Sequence, residues 1–348
     1  MQKKALIAMS GGVDSSVAAY LAMHDGLSCI GATMQLHPSN DGESQINDAR
    51  SVAQRLDIPF YTLDLREEFR CEVMDHFVQS YEDGLTPNPC VICNQKLKFG
   101  HLLDAAIELG CDYVVTGHYA KTRYDEATGR YLLWKAEDPA KDQSYVLYSL
   151  TQEQLAHVQF PLGELTKPQV RAIAEEHGFV TAHKSDSQDI CFIKDGMTYA
   201  DFIEMRTGRK FKPGNFVDTT GKVLGRHKGI IHYTVGQRKG LGLALPEPMY
   251  VKEIDVAHNQ VILSTNAQLF SKSVTATDIN LIDCERITEP RRVKARIRYH
   301  HIEQWATVTQ PDDNTLQLEF DEPQRAITKG QALVLYDGDV VVGGGRII

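Results

Sequence analysis

The fold is decided by the stretch ALIAMSGGVDSSVAAYLAMHD, which occupies residues 5–25. Its first five residues, Ala5–Met9, are all apolar and predict a short buried strand. From Ser15 to Asp25 apolar residues recur every three or four positions, which predicts an amphipathic helix. A strand that enters a helix through a glycine turn is typical of a parallel β-sheet with crossover helices. The sequence therefore predicts an α/β fold at the N-terminus.

The same alternation continues over the next hundred residues. We predict strands at Cys29–Met34, Phe60–Leu65 and Tyr113–Thr116, helices at Ser44–Leu56, Glu67–Tyr81 and Asn94–Leu109, a hairpin over residues 120–135, and a later helix from Thr166 to Gly178. Together these elements predict a doubly wound parallel sheet. Ligands of such sheets bind beyond the carboxyl ends of the strands, so we expect the site at Ser10–Ser16, Met34–Pro38 and Thr116–Tyr119.

The second half of the chain changes character. After about residue 205 glycine becomes frequent and helical periodicity disappears, and from Val274 onward short runs alternate apolar and polar residues. This pattern predicts a small β-rich unit followed by a C-terminal β-barrel. We therefore expect three domains, a catalytic domain at residues 1–204, a small β-rich central domain at 205–272 and a C-terminal β-barrel domain at 273–348.

The composition is that of an ordinary soluble globular protein. Of the 348 residues, 42% are hydrophobic and 24% are charged, which excludes a disordered or collagen-like chain. No apolar run approaches the roughly 18 residues of a membrane helix, and Ala5–Met9 is too short for an export signal. We therefore expect a cytoplasmic protein that binds no membrane. The net charge of −9 argues against indiscriminate binding to nucleic acid, although an acidic body can carry a local basic surface.

Ser10–Ser16 has the composition of a loop that binds phosphate. Gly11 and Gly12 allow a tight turn, and the backbone amides at the start of the predicted helix favour an anion. Asp14 is a candidate ligand for a magnesium ion that bridges phosphates. No lysine follows a glycine here, so the loop is not a Walker A motif, and the simpler alternative is a glycine turn with serine caps. The string resembles the PP-loop of ATP pyrophosphatases, which split ATP into AMP and pyrophosphate while they adenylate an oxygen of their substrate.

The chain has seven cysteines, an odd number without an export signal, which argues against a disulfide framework. Cys90 and Cys93 lie in a proline-containing loop before the helix predicted from Asn94. The helix N-terminus, with Lys96 and Lys98 in the next turn, predicts a lowered pKa for the Cys93 thiol. Reactive thiols are therefore expected in this loop.

A single further thiol, Cys191, lies far downstream in a polar segment. Two alternatives to thiol chemistry stay open. One is a zinc site that combines Cys90 and Cys93 with Cys191 and a histidine; the other is that Cys191 is a small buried apolar residue. The remaining cysteines lie within apolar patterns and are predicted to be packing residues: Cys29, Cys71, Cys111 and Cys284.

These loops belong to a set of motifs that extends over nearly the whole chain. The set comprises SGGVDSS at Ser10–Ser16, TPNPCVICN at Thr86–Asn94, TGHY at Thr116–Tyr119, KDQSY at Lys141–Tyr145, KPQVR at Lys167–Arg171, DSQDICFI at Asp186–Ile193, GQRKGLG at Gly236–Gly242 and GGG at Gly343–Gly345. With these motifs the chain resembles the tRNA-specific 2-thiouridylases. The resemblance implies the PP-loop ATPase fold and an enzyme that uses ATP to replace the C2 oxygen of the tRNA wobble uridine with sulfur. Such an oxygen leaves poorly, so it is adenylated first, and a cysteine persulfide then supplies the sulfur.

The resemblance also implies roles for individual residues. Cys93 corresponds to the nucleophile and Cys191 to the persulfide carrier. The implied ATP site consists of Ala8, Met9, Ser10, Gly11, Gly12, Val13, Asp14, Ser15, Met34 and Gly117. Contact with the target base is implied for Asn88, Pro89 and Cys90, and further tRNA contact for His118, Lys141, Asp142, Gln143, Arg298, Tyr299 and Gln331.

The implied cofactors are ATP and Mg²⁺, the latter bound with ATP and without a dedicated protein metal site. The implied partners are tRNA and a persulfide donor, either a cysteine desulfurase or a sulfur relay protein. One position departs from the family pattern: many members have aspartate where this chain has Cys90. That carboxylate is suited to acid–base chemistry at the uracil, so either another group acts here or none is needed. The Cys90 thiol also competes with Cys93 for the role of nucleophile.

A basic stripe is predicted in the C-terminal domain. Arg292, Lys294, Arg296 and Arg298 alternate with apolar residues, so all four cations point to one face of a strand. Such a stripe is suited to RNA phosphates. The alternative is a solvated face that is balanced by nearby acids, namely Asp283, Glu285 and Glu289.

Three alternative functions are compatible with these features. The first is an ATP-dependent sulfur transferase that acts on tRNA, the second a PP-loop ligase that adenylates a small molecule, and the third a non-catalytic RNA-binding module that depends on a nucleotide. No glutaminase portion is recognisable, whereas paired loop cysteines and a basic β-domain are present. These features favour the sulfur transferase.

Overall fold

The computed structural model describes residues 2–36, 40–184, 190–194 and 196–348. Near the N-terminus a five-stranded parallel sheet lies between two layers of helices, which confirms the doubly wound α/β fold. The first strands of the chain are β1 (Lys4–Ala8), β2 (Ser28–Gln35), β3 (Phe60–Asp64), β4 (Tyr113–Val115), β5 (Lys121–Asp125), β6 (Arg130–Trp134) and β7 (Val158–Gln159). The parallel sheet has the order β3-β2-β1-β4-β7, and β5 and β6 form the predicted hairpin.

The two faces of this sheet are covered by different helices. Leu6 of β1 packs with Phe99 on one side, whereas its neighbour Ile7 packs with Val17 and Val52 on the other, because successive side chains of a strand alternate. The helices occupy Val13–His24, Asn40–Arg55, residues 66–82 (π-helical at Phe69–Asp75), residues 89–108 (π-helical at Cys93–His101), Ser144–Leu147, Gln152–Ala156, Lys167–Glu176 and Tyr199–Thr207, with 3₁₀ turns at Pro161–Glu164, Ile230–His232 and Asn266–Leu269. Within residues 2–36, 40–184, 190–194 and 196–348, none of these helices is both long and apolar enough to cross a membrane.

The helix that carries the paired cysteines begins earlier than predicted, at Pro89 instead of Asn94. The side chain of Asn88 caps this helix, since its Oδ1 accepts a hydrogen bond from the backbone N of Cys90 at 3.1 Å. Proline suits the first helical position because its missing N–H has no partner there in any case. Cys90 and Cys93 therefore lie in the first turns of a helix and not in a loop.

A four-stranded sheet forms the middle of the chain. Its strands are β8 (Gly214–Asp218), β9 (Val223–His227), β10 (Tyr250–Asp255) and β11 (Gln260–Ser264), in the order β10-β11-β8-β9. Phe216 of this sheet shares a core with Phe202 from the helix Tyr199–Thr207 and with Phe192. The segment that carries Cys191 is therefore attached to the central sheet. The predicted positions His37 and Pro38, and the part of the DSQDICFI motif from Asp186 to Asp189, lie outside the described residues.

The C-terminal part is a closed antiparallel barrel, as predicted. Its strands are β12 (Phe270–Leu281), β13 (Arg291–Arg296), β14 (Gln304–Asp312), β15 (Thr315–Arg325), β16 (Ala332–Asp337) and β17 (Val340–Ile347). Neighbours pair in the order β12-β15-β14-β13-β16-β17, and pairing of β17 with β12 closes the ring. The hairpin β5–β6 extends this sheet, because Trp134 pairs with Val340.

The barrel is joined to the parallel-sheet region by a shared apolar core and by hydrogen bonds to backbone. The Tyr145 hydroxyl donates to the carbonyl of Ala332 at 2.8 Å. Gln331 Nε2 donates to the carbonyl of Thr86 at 2.7 Å, and the backbone N of Thr86 donates to the carbonyl of Lys329 at 2.9 Å. The barrel therefore fixes the segment that leads into the cysteine-bearing helix.

Candidate active site

The phosphate loop, Ser10–Ser16, lies between the end of β1 and the helix that follows it. Gly11 has a φ of 70°, and a Cβ there would lie 2.3 Å from the carbonyl oxygen of Gln45, so only glycine fits this turn. The Ser15 hydroxyl accepts a hydrogen bond from the backbone N of Ser10 at 3.1 Å and donates one to the carbonyl of Gly12 at 3.1 Å. No side chain among the described residues caps the helix at Gly12. The first amides of the helix are therefore left for an anion.

The other residues predicted for the nucleotide site line the same edge of the sheet. Ala8 ends β1, Val13 opens the helix and Met34 lies near the end of β2. Gly117 follows β4, which is the other neighbour of β1. A Cβ on Gly117 would lie 2.7 Å from the backbone of Asp14, so the loop after β4 touches the phosphate loop. These positions come together at the carboxyl edge of the parallel strands.

Asp14, in the phosphate loop, has two hydrogen-bond partners from other parts of the chain. Lys167 Nζ donates to its two carboxylate oxygens at 2.7 and 2.8 Å, and the Tyr119 hydroxyl donates to Oδ1 at 2.8 Å. The Lys167 side chain is only 9% exposed, so water screens this ion pair weakly. Neither partner was assigned a role from the sequence, because they lie 153 and 105 residues away from Asp14 along the chain. The only signal was their presence in the KPQVR and TGHY motifs.

A second lysine reaches the phosphate loop. Lys184 Nζ donates to the carbonyl of Gly11 at 3.0 Å and to Asp48 Oδ2 at 2.8 Å. The hydroxyl groups of Ser16 and Thr181 lie 2.9 Å apart, so the same downstream segment is bonded to the start of the helix as well. Two ammonium groups from distant parts of the chain thus lie beside the anion cradle, each paired with a carboxylate.

Cys90, Cys93 and Cys191 form a thiol cluster. Cys93 packs in an apolar group with Phe192, the residue after Cys191. A negative charge on Cys93 or Cys90 raises the pKa of Cys191, so the three thiols are electrostatically coupled. Cys191 is exposed, so the alternative of a buried apolar residue is wrong. All seven cysteines are free thiols.

The thiol cluster does not have the predicted electrostatics. Burial is the largest cause that raises the pKa of Cys90 and Cys93, and the charge of Lys98 opposes it. Although part of the Cys191 residue is exposed, desolvation by the surrounding protein, followed by the charges of Cys93 and Cys90, raises the pKa of its thiol to about 12. The expectation of a lowered pKa at Cys93 is therefore wrong, because the surrounding protein disfavours a thiolate more than the helix start favours it. Lys96 is exposed and is not among the charges that act on these thiols.

Lys98 connects the thiol cluster to a buried histidine. Its Nζ donates to His118 Nε2 at 3.3 Å, and His118 Nδ1 lies 2.7 Å from Thr116 Oγ1. Burial, followed by the charge of Lys98, holds the pKa of His118 well below its ordinary value. The imidazole is therefore neutral near pH 7, with its proton on Nδ1 and its lone pair on Nε2, where it accepts from Lys98. His118 is 8% exposed.

Some residues predicted to contact tRNA lie beside the thiol cluster. Residues 88–90 start the cysteine-bearing helix. Tyr299 of the barrel faces this helix: burial, then the charges of Asp142 and Cys90, raise its pKa. The Tyr299 hydroxyl donates to the backbone carbonyl of Asp142 at 3.4 Å. Lys141, the neighbour of Asp142, is partly exposed.

Other residues predicted to contact tRNA make bonds inside the protein. Asp142 is buried, and its carboxylate accepts hydrogen bonds from its own loop. Gln143 Oε1 accepts from the backbone N of Tyr119 at 3.0 Å. Arg298 donates to backbone carbonyls of the barrel, and Gln331 donates to the segment before the cysteine-bearing helix. These side chains hold together the protein segments around the phosphate loop and the thiol cluster.

The basic stripe has the predicted alternation, but its charges are largely paired. The apolar residues between its cations are fully buried, so the cations share the outer face. Arg292 pairs with Asp321 at 2.8 Å and Arg296 pairs with Glu303 at 2.9 Å. Lys294 lies 5.3 Å from the ring centre of a half-exposed tryptophan. The acids that balance the stripe are not those predicted from the sequence.

The remaining cysteines are not all alike. Cys29 and Cys111 are buried as predicted and Cys284 is partly buried, but Cys71 is exposed, contrary to expectation. The sulfur of Cys71 accepts from Arg70 Nη2 at 3.1 Å on the surface of its helix. Over the part of the chain that the structure describes, no group of three or more His, Cys, Asp or Glu side chains is arranged to hold a metal ion.

Three family models match consecutive parts of the chain. They are described as a tRNA methyl transferase HUP domain at residues 3–195, a tRNA methyl transferase PRC-barrel domain at 200–265 and an aminomethyltransferase beta-barrel domain at 271–347.

Full-length relatives carry a different name. The "tRNA-specific 2-thiouridylase MnmA" of Acetivibrio thermocellus is 50% identical over 357 residues, which cover 99% of each chain. The protein of the same name from Clostridioides difficile is 49% identical and covers 100% of this chain and 98% of its own. A solved structure, the U34-tRNA thiolase NcsA from Methanococcus maripaludis with its [4Fe-4S] cluster, aligns with a TM-score of 0.36 at 20% identity, over 59% of this chain and 63% of that chain.

Proposed function

Because this chain belongs to the tRNA-specific 2-thiouridylase family, which full-length relatives at 50% and 49% identity establish, we propose that it replaces the C2 oxygen of the tRNA wobble uridine with sulfur. We further propose that it cleaves ATP to AMP and pyrophosphate with the help of Mg²⁺, and that a cysteine desulfurase or a sulfur relay protein delivers the sulfur. In this proposal the catalytic domain spans residues 1–204, a tRNA-contacting central domain 205–272 and the barrel 273–348.

The observation that carries the proposal is the link between the phosphate loop and the thiol cluster. Gly117 touches the phosphate loop, and the next residue, His118, accepts a hydrogen bond from Lys98 on the cysteine-bearing helix. An adenylating site beside free thiols is what sulfur transfer to an activated oxygen requires. Methyl transfer, which the domain descriptions mention, needs neither a phosphate loop nor a pair of thiols.

The first step activates the uracil oxygen. Bound ATP supplies the adenylyl group that turns this oxygen into a good leaving group. The uncapped amides at Gly12 and the Ser10 hydroxyl hold phosphate oxygens. Asp14 is the residue that would hold a magnesium ion at this loop, and Lys167, which now bonds to Asp14, would then be available to a phosphate.

The second step transfers sulfur. The terminal sulfur of a persulfide on Cys191 forms a bond to C2, and AMP leaves with the electron pair of the C2–O bond. The Cys93 thiolate then forms an S–S bond to Cys191 Sγ, and the bond from Cys191 to the transferred sulfur breaks. Its electron pair stays on that sulfur, which becomes the thiocarbonyl of 2-thiouridine. An external dithiol reduces the Cys93–Cys191 disulfide for the next cycle.

The test is mass analysis of tRNA nucleosides after incubation with ATP, Mg²⁺ and a persulfide-generating desulfurase. One uridine should gain sulfur in place of oxygen, and AMP and pyrophosphate should form only when tRNA is added. AMP formation with a small molecule in place of tRNA would support the ligase alternative. Binding of tRNA without ATP cleavage would support the non-catalytic module, and release of ADP and phosphate would contradict the PP-loop assignment.

A further inference from the structure

Building on the thiolation proposed above, we propose that Lys98 is a positioning residue for the sulfur chemistry. Its ammonium group, held in place by the neutral imidazole of His118, stabilises the Cys93 thiolate at the moment when that sulfur attacks. The family resemblance implies no role for Lys98, and the sequence predicts the same effect on Cys93 for Lys96 and Lys98.

The winding of the helix brings Lys98 to Cys93. Cys93 begins the π-helical segment Cys93–His101, and Lys98 lies five residues further on. In a π-helix the residue at i+5 is bonded back to residue i, so both side chains lie on one side of the helix. An α-helix would instead turn Lys98 about 140° away from Cys93. The π-helical turn therefore places Lys98 on the same side of the helix as Cys93, which an α-helical turn would not do.

The charge of Lys98 is not cancelled by its hydrogen-bond partner. Its Nζ donates to His118 Nε2 at 3.3 Å, and that imidazole is neutral because burial disfavours its protonation. Over the described ranges, no carboxylate oxygen lies within 4.0 Å of the Lys98 ammonium. Lys167 differs in this respect, since it is bonded to Asp14 through both carboxylate oxygens. A neutral acceptor holds the ammonium in place and leaves its field for a neighbouring anion.

The groups around the thiol cluster come from several elements. Cys90 lies one turn earlier on the same helix, Cys191 lies on the segment attached to the central sheet, and Tyr299 belongs to the barrel. Burial raises the pKa of each of the three thiols, and Lys98 is a charge that opposes this rise at all three. Lys98 therefore acts on the thiol that attacks, on its competitor and on the sulfur carrier.

The consequence for the reaction concerns the final exchange. When Cys93 Sγ bonds to Cys191 Sγ, the negative charge leaves Cys93 and moves to the sulfur on the uridine. A cation beside the cluster keeps this charge compensated before the exchange and while it moves. A carboxylate at position 90 would oppose a thiolate at Cys93 by repulsion, and this chain has the Cys90 thiol there instead.

The experiment measures alkylation of Cys93 in the free enzyme, without tRNA or ATP, by peptide mass analysis after brief exposure to iodoacetamide from pH 7 to 10. Lys98→Met removes the charge and keeps a long side chain. We expect it to slow alkylation of Cys93 about fivefold at pH 8 and to move the rate profile to higher pH. Lys98→Arg should restore the rate to within about twofold, because it retains a cation.

Lys96→Met is the matched control, because Lys96 is an exposed lysine on the same helix. It should leave the profile unchanged. An unchanged profile in Lys98→Met, an equal shift in Lys96→Met, or no rescue by Lys98→Arg would each overturn the proposal. Thermal unfolding of all three variants shows whether they are folded.

A second measurement separates this inference from the proposed function. In the tRNA thiolation assay Lys98→Met should still load a persulfide on Cys191 but should release sulfur about fivefold more slowly, with ATP cleavage per tRNA unchanged. If the wild-type enzyme thiolates no tRNA, the proposed function fails while the alkylation result stands. If the wild type is active and Lys98→Met is equally fast, the role of Lys98 fails alone.

Discussion

The phosphate loop and the thiol cluster lie at the same edge of the parallel sheet, yet they handle charge in opposite ways. In the phosphate loop each charge has an opposite partner: Asp14 is bonded to Lys167 at 2.7 Å, and Lys184 to Asp48 at 2.8 Å. In the thiol cluster burial keeps the three sulfurs protonated, and Lys98 is bonded to a neutral imidazole. One region is charged and balanced, and the other is uncharged with Lys98 beside it.

This opposite treatment of charge suits the two chemistries that the site combines. A phosphate loop binds ATP, which carries several negative charges. Its hydrogen-bond donors are therefore fixed in place, and its charged side chains can exchange partners when ATP binds. A thiolate in the resting enzyme would be open to oxidation before the substrate binds, because the thiolate is the reactive form of cysteine. Protonated sulfurs avoid this oxidation, and the nearby charge of Lys98 still favours deprotonation when a partner is bound.

The largest effect is expected when the two main thiols are exchanged for serine. Cys191→Ser leaves no site for sulfane sulfur, so no persulfide should form there and thiolation from a desulfurase should stop. Cys93→Ser should still load sulfur on Cys191 but should release it poorly, and it should never form the Cys93–Cys191 disulfide. Intact-protein mass and a thiouridine assay measure both outcomes. Identical failure of the two variants would contradict the division of roles.

The resting state of the same thiols can be tested by pH. Because the pKa of Cys191 is raised to about 12, its thiolate fraction should rise about tenfold for each pH unit between 7 and 10. Cys93 should alkylate ahead of Cys191 over this range, although Cys191 is the more exposed of the two. Labelling of Cys90 ahead of Cys93, together with an active Cys93→Ser enzyme, would transfer the role of nucleophile to Cys90.

The next largest effect is expected at the phosphate loop. Asp14→Asn removes the partner of Lys167 and the candidate magnesium ligand, and we expect ATP consumption to fall about a hundredfold. Ser10→Ala should have a smaller effect in the same direction. Affinity for tRNA, measured by filter binding, should change less than twofold, because both side chains belong to the phosphate loop and neither is among the residues implied to contact tRNA. Equal loss of tRNA binding in folded variants would tell against the assignment.

Much of the fold could be predicted from the sequence because its signals are local. The five apolar residues of Ala5–Met9 and the alternation that follows gave the parallel sheet, and period-two runs gave the barrel. The start of the helix at Pro89 differs from the prediction because apolar periodicity does not mark it, whereas the decisive feature is the cap by Asn88. Caps depend on a single side chain and not on a repeating pattern.

The site could be located but its charges could not be predicted. Parallel strands bring their carboxyl ends together, so the sequence indicated which loops meet. The partners of Asp14 lie more than a hundred residues away, and no local pattern connects them. The pKa of Cys93 was predicted in the wrong direction because the helix start is visible in sequence, whereas burial by Leu36 and Phe192 is visible only in the fold.

A smaller effect is expected from the buried histidine between the two regions. The unfolded chain binds a proton at His118 as the pH falls through about 6.5, whereas the folded chain does not, since burial lowers the pKa. The free energy of unfolding should therefore fall with pH below 6.5, by about 1.4 kcal/mol per pH unit from this group. His118→Gln should reduce that slope in urea unfolding at pH 7 and 5.5, and His24→Gln, at an exposed position, should not. An unchanged slope in His118→Gln would mean that His118 is protonated in the folded state.

The smallest effect concerns the basic stripe, which extends the comparison to a third kind of charge, paired but exposed. Reversal of Arg296 would place a carboxylate against Glu303 in a largely buried pair, so it would test folding and not tRNA binding. Arg292→Glu with Lys294→Glu is the sharper choice, because both are surface cations. If they contact phosphates, affinity for tRNA should weaken and its dependence on log salt should lose about one unit of slope per contact.

Arg346→Glu, an arginine paired with a carboxylate elsewhere on the barrel, is the control and should leave the slope unchanged. An unaltered slope in the double variant would make the stripe a solvated face whose ion pairs serve only the barrel.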